Sequence, residues 1–239
     1  QELSGRLRDQ VEGALWSIET INAMRSDMHE LKGRVGGYNR VVVSVDPTMG
    51  DGNVSNDECG IIVGCLGRDG KVWILDDMTI KGTPEAWCRA VGRAFVKWGA
   101  ECVLAEVNQG GTLVRQVLGR YFDGLPIRDV RAFDGKRIRA EGPALLCEQG
   151  EVMFAQKFPL LSDQLLTWDP IESDDSPDRL DAFVQLVQYL KPAEEIGNSG
   201  GRRAYGGARG RRRTARRRSS RSATRNPYAR GMIKPKNRM

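Results

Sequence analysis

The sequence has one histidine, His29, and no pair of cysteines in a CxxC arrangement. Without clustered imidazole and thiolate ligands, a zinc site is not expected. An odd number of cysteines, scattered through apolar segments, is typical of a reducing compartment; they are Cys59, Cys65, Cys88, Cys102 and Cys147. The absence of GxxxxGK[ST] excludes a P-loop within this sequence. No apolar run reaches the roughly 18 residues of a membrane span, and the first residues do not resemble a signal peptide.

Acidic residues are also missing from the last part of the chain. Of the 37 Lys and Arg residues, fifteen lie between Asn198 and Met239, which leaves 22 against 31 acidic residues and a net charge of −9 for the rest. This Arg-, Gly- and Ser-rich tail has too little apolar surface to fold alone, so residues 193–239 are predicted to be disordered. Two arginine triplets make it a candidate non-specific nucleic-acid arm: Arg211, Arg212, Arg213, Arg216, Arg217 and Arg218.

The remaining 192 positions divide into two further predicted segments. Apolar residues at helical spacing over Leu3–Ala23, followed by glycines, predict a helical linker over residues 1–39. Residues 40–192 read as three consecutive strands, a helix, a strand, a helix, a strand and then helices. A hairpin-linked sheet that continues into βαβ units predicts an α/β domain with a mixed sheet flanked by helices. Ligands of such sheets gather at the carboxyl ends of the strands.

Asp46 ends the segment RVVVSVDP, whose β-branched residues predict a strand buried on both faces. Pro47 has no N–H to continue the ladder of hydrogen bonds. A carboxylate at the end of a central strand is costly to desolvate alone, so it needs either a hydrogen-bonding turn or a cation. Both roles stay open from this segment alone.

Glu106 shares one face of the next predicted central strand with Cys102 and Leu104. An acid on an otherwise apolar face needs a partner, which is either a nearby arginine or a metal ion beside Asp46. The glycines that follow it, in Asn108–Gly111, would let backbone N–H groups approach a bound group such as a phosphate.

The last predicted helix begins at SPDRLDAFV and carries two acids in its first turn. Ser176 is a good N-cap and Pro177 fits the first helical position. Asp178 and Asp181 lie three residues apart and therefore share a face. Favourable interaction with the helix dipole explains Asp178 well but Asp181 less well, because Asp181 borders the buried stripe.

Three carboxylates from two strand ends and a helix start suit two divalent cations. Their hard oxygen atoms favour Mg²⁺ or Mn²⁺, and two such ions about 3.5–4 Å apart can promote phosphodiester cleavage. The basic sequence GKRIRAE adds Lys136, Arg137 and Arg139, which could neutralise DNA phosphates near the metals. The alternative for this block is a solvated turn that leads into a helix.

Four segments, in this order and spacing, resemble the nuclease domain of the large terminase subunits of tailed double-stranded DNA bacteriophages: VSVDP, AEVNQGG, GKRIRAE and SPDRLDAFV. The resemblance covers about Gly13 to Pro192, and GALWSIETI resembles the linker that follows the ATPase domain of these DNA-packaging motors. It implies a ribonuclease H-like fold and a metal-dependent endonuclease that cuts concatemeric viral DNA during genome packaging.

Residue by residue, the resemblance implies that Asp46, Glu106 and Asp181 form the catalytic acidic triad, with Asp178 as a candidate fourth ligand of two Mg²⁺ or Mn²⁺ ions. It also implies a set of partners: double-stranded DNA, the portal protein, the small terminase subunit, and an ATPase domain that this sequence does not contain. The expected place of action is the host cytoplasm, at the procapsid, without a membrane. This sequence by itself is expected to cut DNA but not to translocate it.

Other functions remain as alternatives. An actin-like sugar kinase or chaperone ATPase would need a glycine-rich phosphate turn after the first strand, which Asp46-Pro47-Thr48 does not provide. A non-catalytic DNA- or portal-binding module would not nick plasmid DNA in the presence of metal. A ribonuclease H-like junction resolvase would prefer branched DNA to linear duplex. For the tail, the alternatives to DNA binding are a solubilising role and docking on the portal or capsid.

Overall fold

A mixed β-sheet with helices on both faces organises the chain, in a computed structural model that describes residues 10–47, 58–106, 111–130, 134–173 and 177–192. The strands are β1 (Tyr38–Pro47), β2 (Glu58–Gly67), β3 (Val72–Asp77), β4 (Ile80–Lys81), β5 (Cys102–Glu106), β6 (Ile127–Val130) and β7 (Val152–Phe154). The helices are α1 (Ile18–Ala23), α2 (Met28–Lys32), α3 (Pro84–Trp98), α4 (Gly111–Tyr121), α5 (Lys136–Glu148), α6 (Pro159–Thr167) and α7 (Asp178–Leu190). The predicted fold class, a mixed sheet flanked by helices, is confirmed.

The strand order is β6-β5-β1-β2-β3-β7, with β4 paired to β2. Strand β1 runs antiparallel to β2 and parallel to β5, which is parallel to β6. Strand β3 is antiparallel to β2 and parallel to β7. The carboxyl ends of β1, β3, β5, β6 and β7 therefore meet at one edge of the sheet, together with the start of β2. This shared edge, called the carboxyl edge below, is where a ligand of an α/β sheet is expected.

Alternation along β1 divides its side chains between two cores. Val43 and Val45 pack with Val91 and Phe95 of α3 on one face of the sheet. Val42 belongs to the core on the other face, which includes Phe183 of α7. Because side chains alternate in a strand, Ser44 and Asp46 point to the same face as Val42. The Asp46 carboxylate is therefore directed towards α7.

Local residues determine both ends of helix α3. Thr83 accepts a hydrogen bond from the Ala86 N–H at 3.3 Å, Pro84 lies in the first turn, and Gly99 ends the helix in the left-handed region at φ +60°. Such helix ends can be recognised from the sequence, because a cap involves only residues within one turn of each other.

The predicted helix over Leu3–Ala23 is wrong over its described part, because only Ile18–Ala23 is helical there. Ser17 caps this short helix by accepting from the Thr20 N–H at 3.1 Å, and Gly13 has φ +94°. Residues 1–9 lie outside the described ranges.

The segment from Trp16 to Ser26 packs onto the domain. Trp16 and Met24 are fully buried, and the Trp16 ring lies 6.2 Å from that of Phe183. Phe154 in β7 donates its N–H to the Met24 carbonyl at 2.7 Å and accepts from the Ser26 N–H at 3.0 Å. The division of the chain at residues 39 and 192 stays a prediction, and the tail lies outside the described residues. Among the described helices, none combines the length and apolar character that crossing a membrane requires.

Candidate functional site

Asp46 lies at the carboxyl edge of β1, opposite Gly60 of β2. Burial, followed by the negative charges of Asp181, Asp178 and Glu106, raises the pKa of the Asp46 carboxyl to about 7. The structure thus brings all four predicted acids close enough for the other three to oppose the ionisation of Asp46. A carboxylate that only tied down a turn would gain hydrogen bonds, which lower a pKa, so this crowding favours a cation site over a turn residue.

The close approach of α7 to β2 brings Asp178 and Asp181 to the carboxyl edge. A Cβ atom added to Gly60 would lie 2.0 Å from the Asp178 carbonyl oxygen and 3.2 Å from the Ala182 Cβ. A Cβ at Gly64 would lie 2.6 Å from Leu186 Cδ2. These glycines let the helix lie directly against the strand. Sequence reasoning missed their role, although two glycines four residues apart in a predicted strand signal a close approach of another backbone.

Asp178 and Asp181 lie in the first turn of α7, as predicted. The start of this helix differs in detail from the prediction. Pro177 occupies the N-cap position rather than the first helical position and makes no side-chain capping bond, and Ser176 lies outside the described residues. Instead, the Leu180 N–H donates to Gln164 Oε1 of α6 at 3.2 Å. A neighbouring helix therefore satisfies a backbone N–H in the first turn of α7.

Arg179 in the same turn is a second feature that sequence reasoning missed. It is only 8% exposed. Its Nε donates to Asp77 Oδ2 at 3.0 Å, and its Nη1 donates to Glu58 Oε2. Glu58 begins β2 and Asp77 ends β3, so both carboxylates lie at the carboxyl edge. A basic residue between Asp178 and the buried Leu180 was the available signal, but its partners are more than 100 positions away.

The basic block of the sequence forms the first turn of α5 rather than a turn that precedes the helix, and Arg137 is exposed there. Lys136 Nζ lies 3.4 Å from Asp181 Oδ2, and Arg139 Nη1 donates to Glu106 Oε2 at 3.0 Å. The arginine partner that remained open for Glu106 is therefore present. Arg137 instead bonds Glu141 at 3.2 Å along its own helix.

The six tail arginines predicted to bind DNA lie outside the described residues, as does Asn108–Gly110. What the described part shows is that Lys136 and Arg139 join the acids, whereas Arg137 pairs along the helix surface.

The donor set matches a hard divalent cation. Carboxylate oxygens suit Mg²⁺ or Mn²⁺, and a cation would relieve the repulsion that raises the Asp46 pKa. Nearby Cys59 offers no competing thiolate, because burial and then Asp46 raise the pKa of its thiol. Within the described ranges no three Asp, Glu, His or Cys side chains form a ready ligand group. In the structure Asp181 is paired with Lys136 and Glu106 with Arg139, both of α5.

The sequence model of a family described as the terminase RNaseH-like domain matches residues 43–190. Among solved structures, the large terminase nuclease from thermophilic phage G20c is similar at 14% identity and TM-score 0.51, over 74% of this chain and 98% of that one. The same nuclease with bound cobalt matches at 14% identity and TM-score 0.52, over 75% and 98%. The human cytomegalovirus terminase nuclease domain, soaked with manganese, matches at 12% identity and TM-score 0.46, over 76% and 97%. No curated protein matches the sequence.

Proposed function

The chain belongs to the terminase RNaseH-like domain family, and from this premise we propose that it is a metal-dependent endonuclease that hydrolyses phosphodiester bonds of double-stranded DNA. One observation carries the proposal. Burial, together with the negative charges of Asp181, Asp178 and Glu106 at the carboxyl edge, raises the pKa of Asp46 to about 7. Strongly perturbed pKa values cluster at functional sites, where a cation or a reaction uses the crowded charges.

In this proposal Asp46, Glu106 and Asp181 are the catalytic acids, and Asp178 is a fourth candidate ligand. Bound there, two Mg²⁺ or Mn²⁺ ions would supply the positive charge that phosphodiester hydrolysis needs at the attacking and leaving oxygens. The G20c nuclease, which shares the fold, has been solved with bound cobalt. Divalent-metal use by this chain is therefore the expectation.

The cations of α5 have separate roles. Arg139 holds Glu106 at 3.0 Å and is itself mostly buried, so it orients that carboxylate. Lys136 lies at 3.4 Å from Asp181 and is more exposed, so it can turn from the carboxylate to a phosphate oxygen of the DNA. Its backbone stays fixed because it begins a helix whose Arg139 carbonyl accepts from Gln188 of α7 at 2.8 Å.

To bind DNA, the basic residues of the chain must overcome the repulsion between DNA phosphates and the net charge of −9 on residues 1–197. We propose that Arg137 and the tail triplets, Arg211–Arg213 and Arg216–Arg218, supply phosphate contacts that carry little sequence information. The biological setting proposed for this activity is the cutting of concatemeric viral DNA during genome packaging in the host cytoplasm. Its proposed partners are the portal protein, the small terminase subunit and an ATPase domain.

The test is digestion of supercoiled plasmid with Mg²⁺, Mn²⁺, Ca²⁺ or EDTA, using wild type, Asp46→Asn and Asp123→Asn. Asp123 is an exposed control that precedes β6, at the sheet edge opposite the carboxyl edge. We expect cutting by wild type and Asp123→Asn in Mn²⁺ or Mg²⁺ and none by Asp46→Asn. Equal cutting in EDTA would exclude the metal mechanism. Binding of DNA without any cutting would support the non-catalytic module, and faster cutting of a four-way junction than of linear duplex would support a resolvase.

A further inference from the structure

We propose that Arg179 is a positioning residue of this site. By bridging Glu58 and Asp77 it holds the first turn of α7 where Asp178 and Asp181 face Asp46. The inference rests on the proposed function, because it concerns how the acids of that site are held for metal binding. In this proposal Arg179 acts through the acids and not by contact with the DNA.

The two contacts of Arg179 fix the guanidinium in both position and orientation. Its Nε donates to Asp77 Oδ2 at 3.0 Å, while Nη1 donates to Glu58 Oε2. The three side chains are 10%, 13% and 18% exposed for Arg179, Asp77 and Glu58, so water screens these bonds weakly. A planar guanidinium that bonds two carboxylates on different strands allows little rotation of its own backbone.

That backbone is shared with the acids. Arg179 directly follows Asp178 and lies two residues before Asp181, within one helical turn. A rotation of this turn that released the guanidinium would move both acids away from Asp46. The turn has no capping side chain at Pro177, and its other supports include the close approach of Gly60 to the Asp178 carbonyl, the Gln164 bond to the Leu180 N–H and the ion pair of Lys136 with Asp181. Because Gly60 has no side chain, α7 can lie close to the sheet, whereas Arg179 sets the rotation of α7 about its own axis.

Arg179 also has an electrostatic effect. Glu58 and Asp77 lie at the same carboxyl edge as the four acids of the site. Without the guanidinium, two poorly exposed carboxylates would be left unpaired there, and their repulsion would push the first turn of α7 outward. The experiment must therefore distinguish the positioning of the α7 turn by Arg179 from the neutralisation of the two carboxylates by its charge.

Lys191 provides a matched control at the other end of the same helix. It directly follows α7, and its Nζ bonds Glu151 Oε2 at 2.5 Å and the Gly70 carbonyl at 3.3 Å. Like Arg179, it ties α7 to the sheet through a partly buried ion pair. Unlike Arg179, it is ten residues from Asp181 in sequence and lies at the opposite edge of the sheet. Comparing the two residues should therefore distinguish an ion pair that only stabilises the fold from one that positions the acids.

The experiment measures Mn²⁺ binding by calorimetry for wild type, Arg179→Gln, Arg179→Lys and Lys191→Gln. Loss of a residue that orients metal ligands typically costs 10–100-fold in metal affinity. We expect Arg179→Gln to bind Mn²⁺ roughly 10–100-fold more weakly and Lys191→Gln to bind it as wild type does, although both melt at lower temperature. Arg179→Lys should recover part of the affinity, since an ammonium keeps the charge but not the two-point fork.

A triple variant, Arg179→Met with Glu58→Gln and Asp77→Asn, removes the bridge without leaving an unpaired charge. It also serves if Arg179→Gln alone does not fold. Weak Mn²⁺ binding by a folded triple variant supports positioning. Wild-type affinity in either Arg179→Gln or the triple variant overturns it, as does an equal loss of affinity in Lys191→Gln. The proposed function is judged separately by the wild type: if that protein neither binds Mn²⁺ nor cuts plasmid, the nuclease proposal fails whatever the variants do.

Discussion

Replacing Asp46 by asparagine should stabilise the metal-free protein, and increasingly so as the pH rises. The Asp46 carboxyl has a pKa of about 7 in the folded protein, against its ordinary value of 3.8. A raised carboxyl pKa means that the folded state binds the proton more tightly than the unfolded state. This contribution to stability is complete below pH 3.8, is lost as the pH rises to about 7, and does not change further above that.

The size of the effect follows from these two values. Linkage gives a loss of roughly 2.5 kcal/mol in the free energy of unfolding of wild type between pH 5 and pH 8 from Asp46 alone. Asparagine has nearly the same shape and does not titrate, so the variant lacks this loss. The difference in stability should therefore shift by about 2.5 kcal/mol in favour of Asp46→Asn over this range, which for a domain of this size is about 5–10 °C in melting temperature.

The assay is thermal and urea unfolding of both proteins in EDTA at pH 5, 6, 7 and 8, with Asp123→Asn as the exposed control. Titrating groups that do not interact with Asp46 are shared and cancel in the difference, which therefore reports Asp46 together with the acids that couple to it. A pH-independent difference would refute the crowding of acids around Asp46. An Asp46→Asn protein that melts well below wild type at pH 8 would show that Asp46 is a structural turn residue. Retained plasmid cutting by a stable variant would refute its catalytic role alone.

Three further results are expected. Mn²⁺ at about 100 times its dissociation constant should stabilise wild type by roughly 2.7 kcal/mol and Asp46→Asn by clearly less, measured as melting shifts; equal shifts would place the metal elsewhere. Deleting Asn198–Met239 should flatten the log–log salt dependence of DNA binding by roughly 4–5 units if about five arginines meet phosphates, whereas an unchanged slope would show that the tail does not contact DNA. Gly60→Ala should cost about 1–3 kcal/mol in urea unfolding and weaken Mn²⁺ binding, because its Cβ meets the Asp178 carbonyl. Gly119→Ala, a helical site with nothing within 4 Å, should be neutral or stabilising, and equal losses at both positions would refute this explanation.

The parts of the site that could be predicted from the sequence are those with local signals. A valine-rich strand that ends in an acid predicted the position of Asp46, and the spacing of Asp178 and Asp181 at a helix start predicted their shared turn. The mixed sheet followed from the order of the apolar segments. In each case the residues that determine the feature are neighbours in sequence, so pattern and propensity were sufficient.

The parts that could not be predicted depend on contacts between distant segments. Arg179 bonds residues 102 and 121 positions away, and nothing near it in sequence indicates those partners. Ser176, the expected cap, lies outside the described residues, and the Leu180 N–H donates to Gln164 of another helix, a partner that no local pattern indicates. The long first helix is wrong for a related reason: Leu15 and Trp16 pack into the core from a non-helical stretch, while Val11 is exposed, so these residues do not share one helical face.

The aromatic contact between the first described segment and α7 has a mechanical consequence. Trp16 lies against Phe183, and Phe183 is two residues beyond Asp181 on the same helix. Phe154, whose backbone bonds the stretch around Met24 and Ser26, also lies 6.5 Å from the Phe183 ring. A tensile load applied to the residues before Trp16 would thus be transmitted to the helix that carries two of the acids. In engineering terms, the segment and the helix are coupled in series, so a force applied to one is carried by the other.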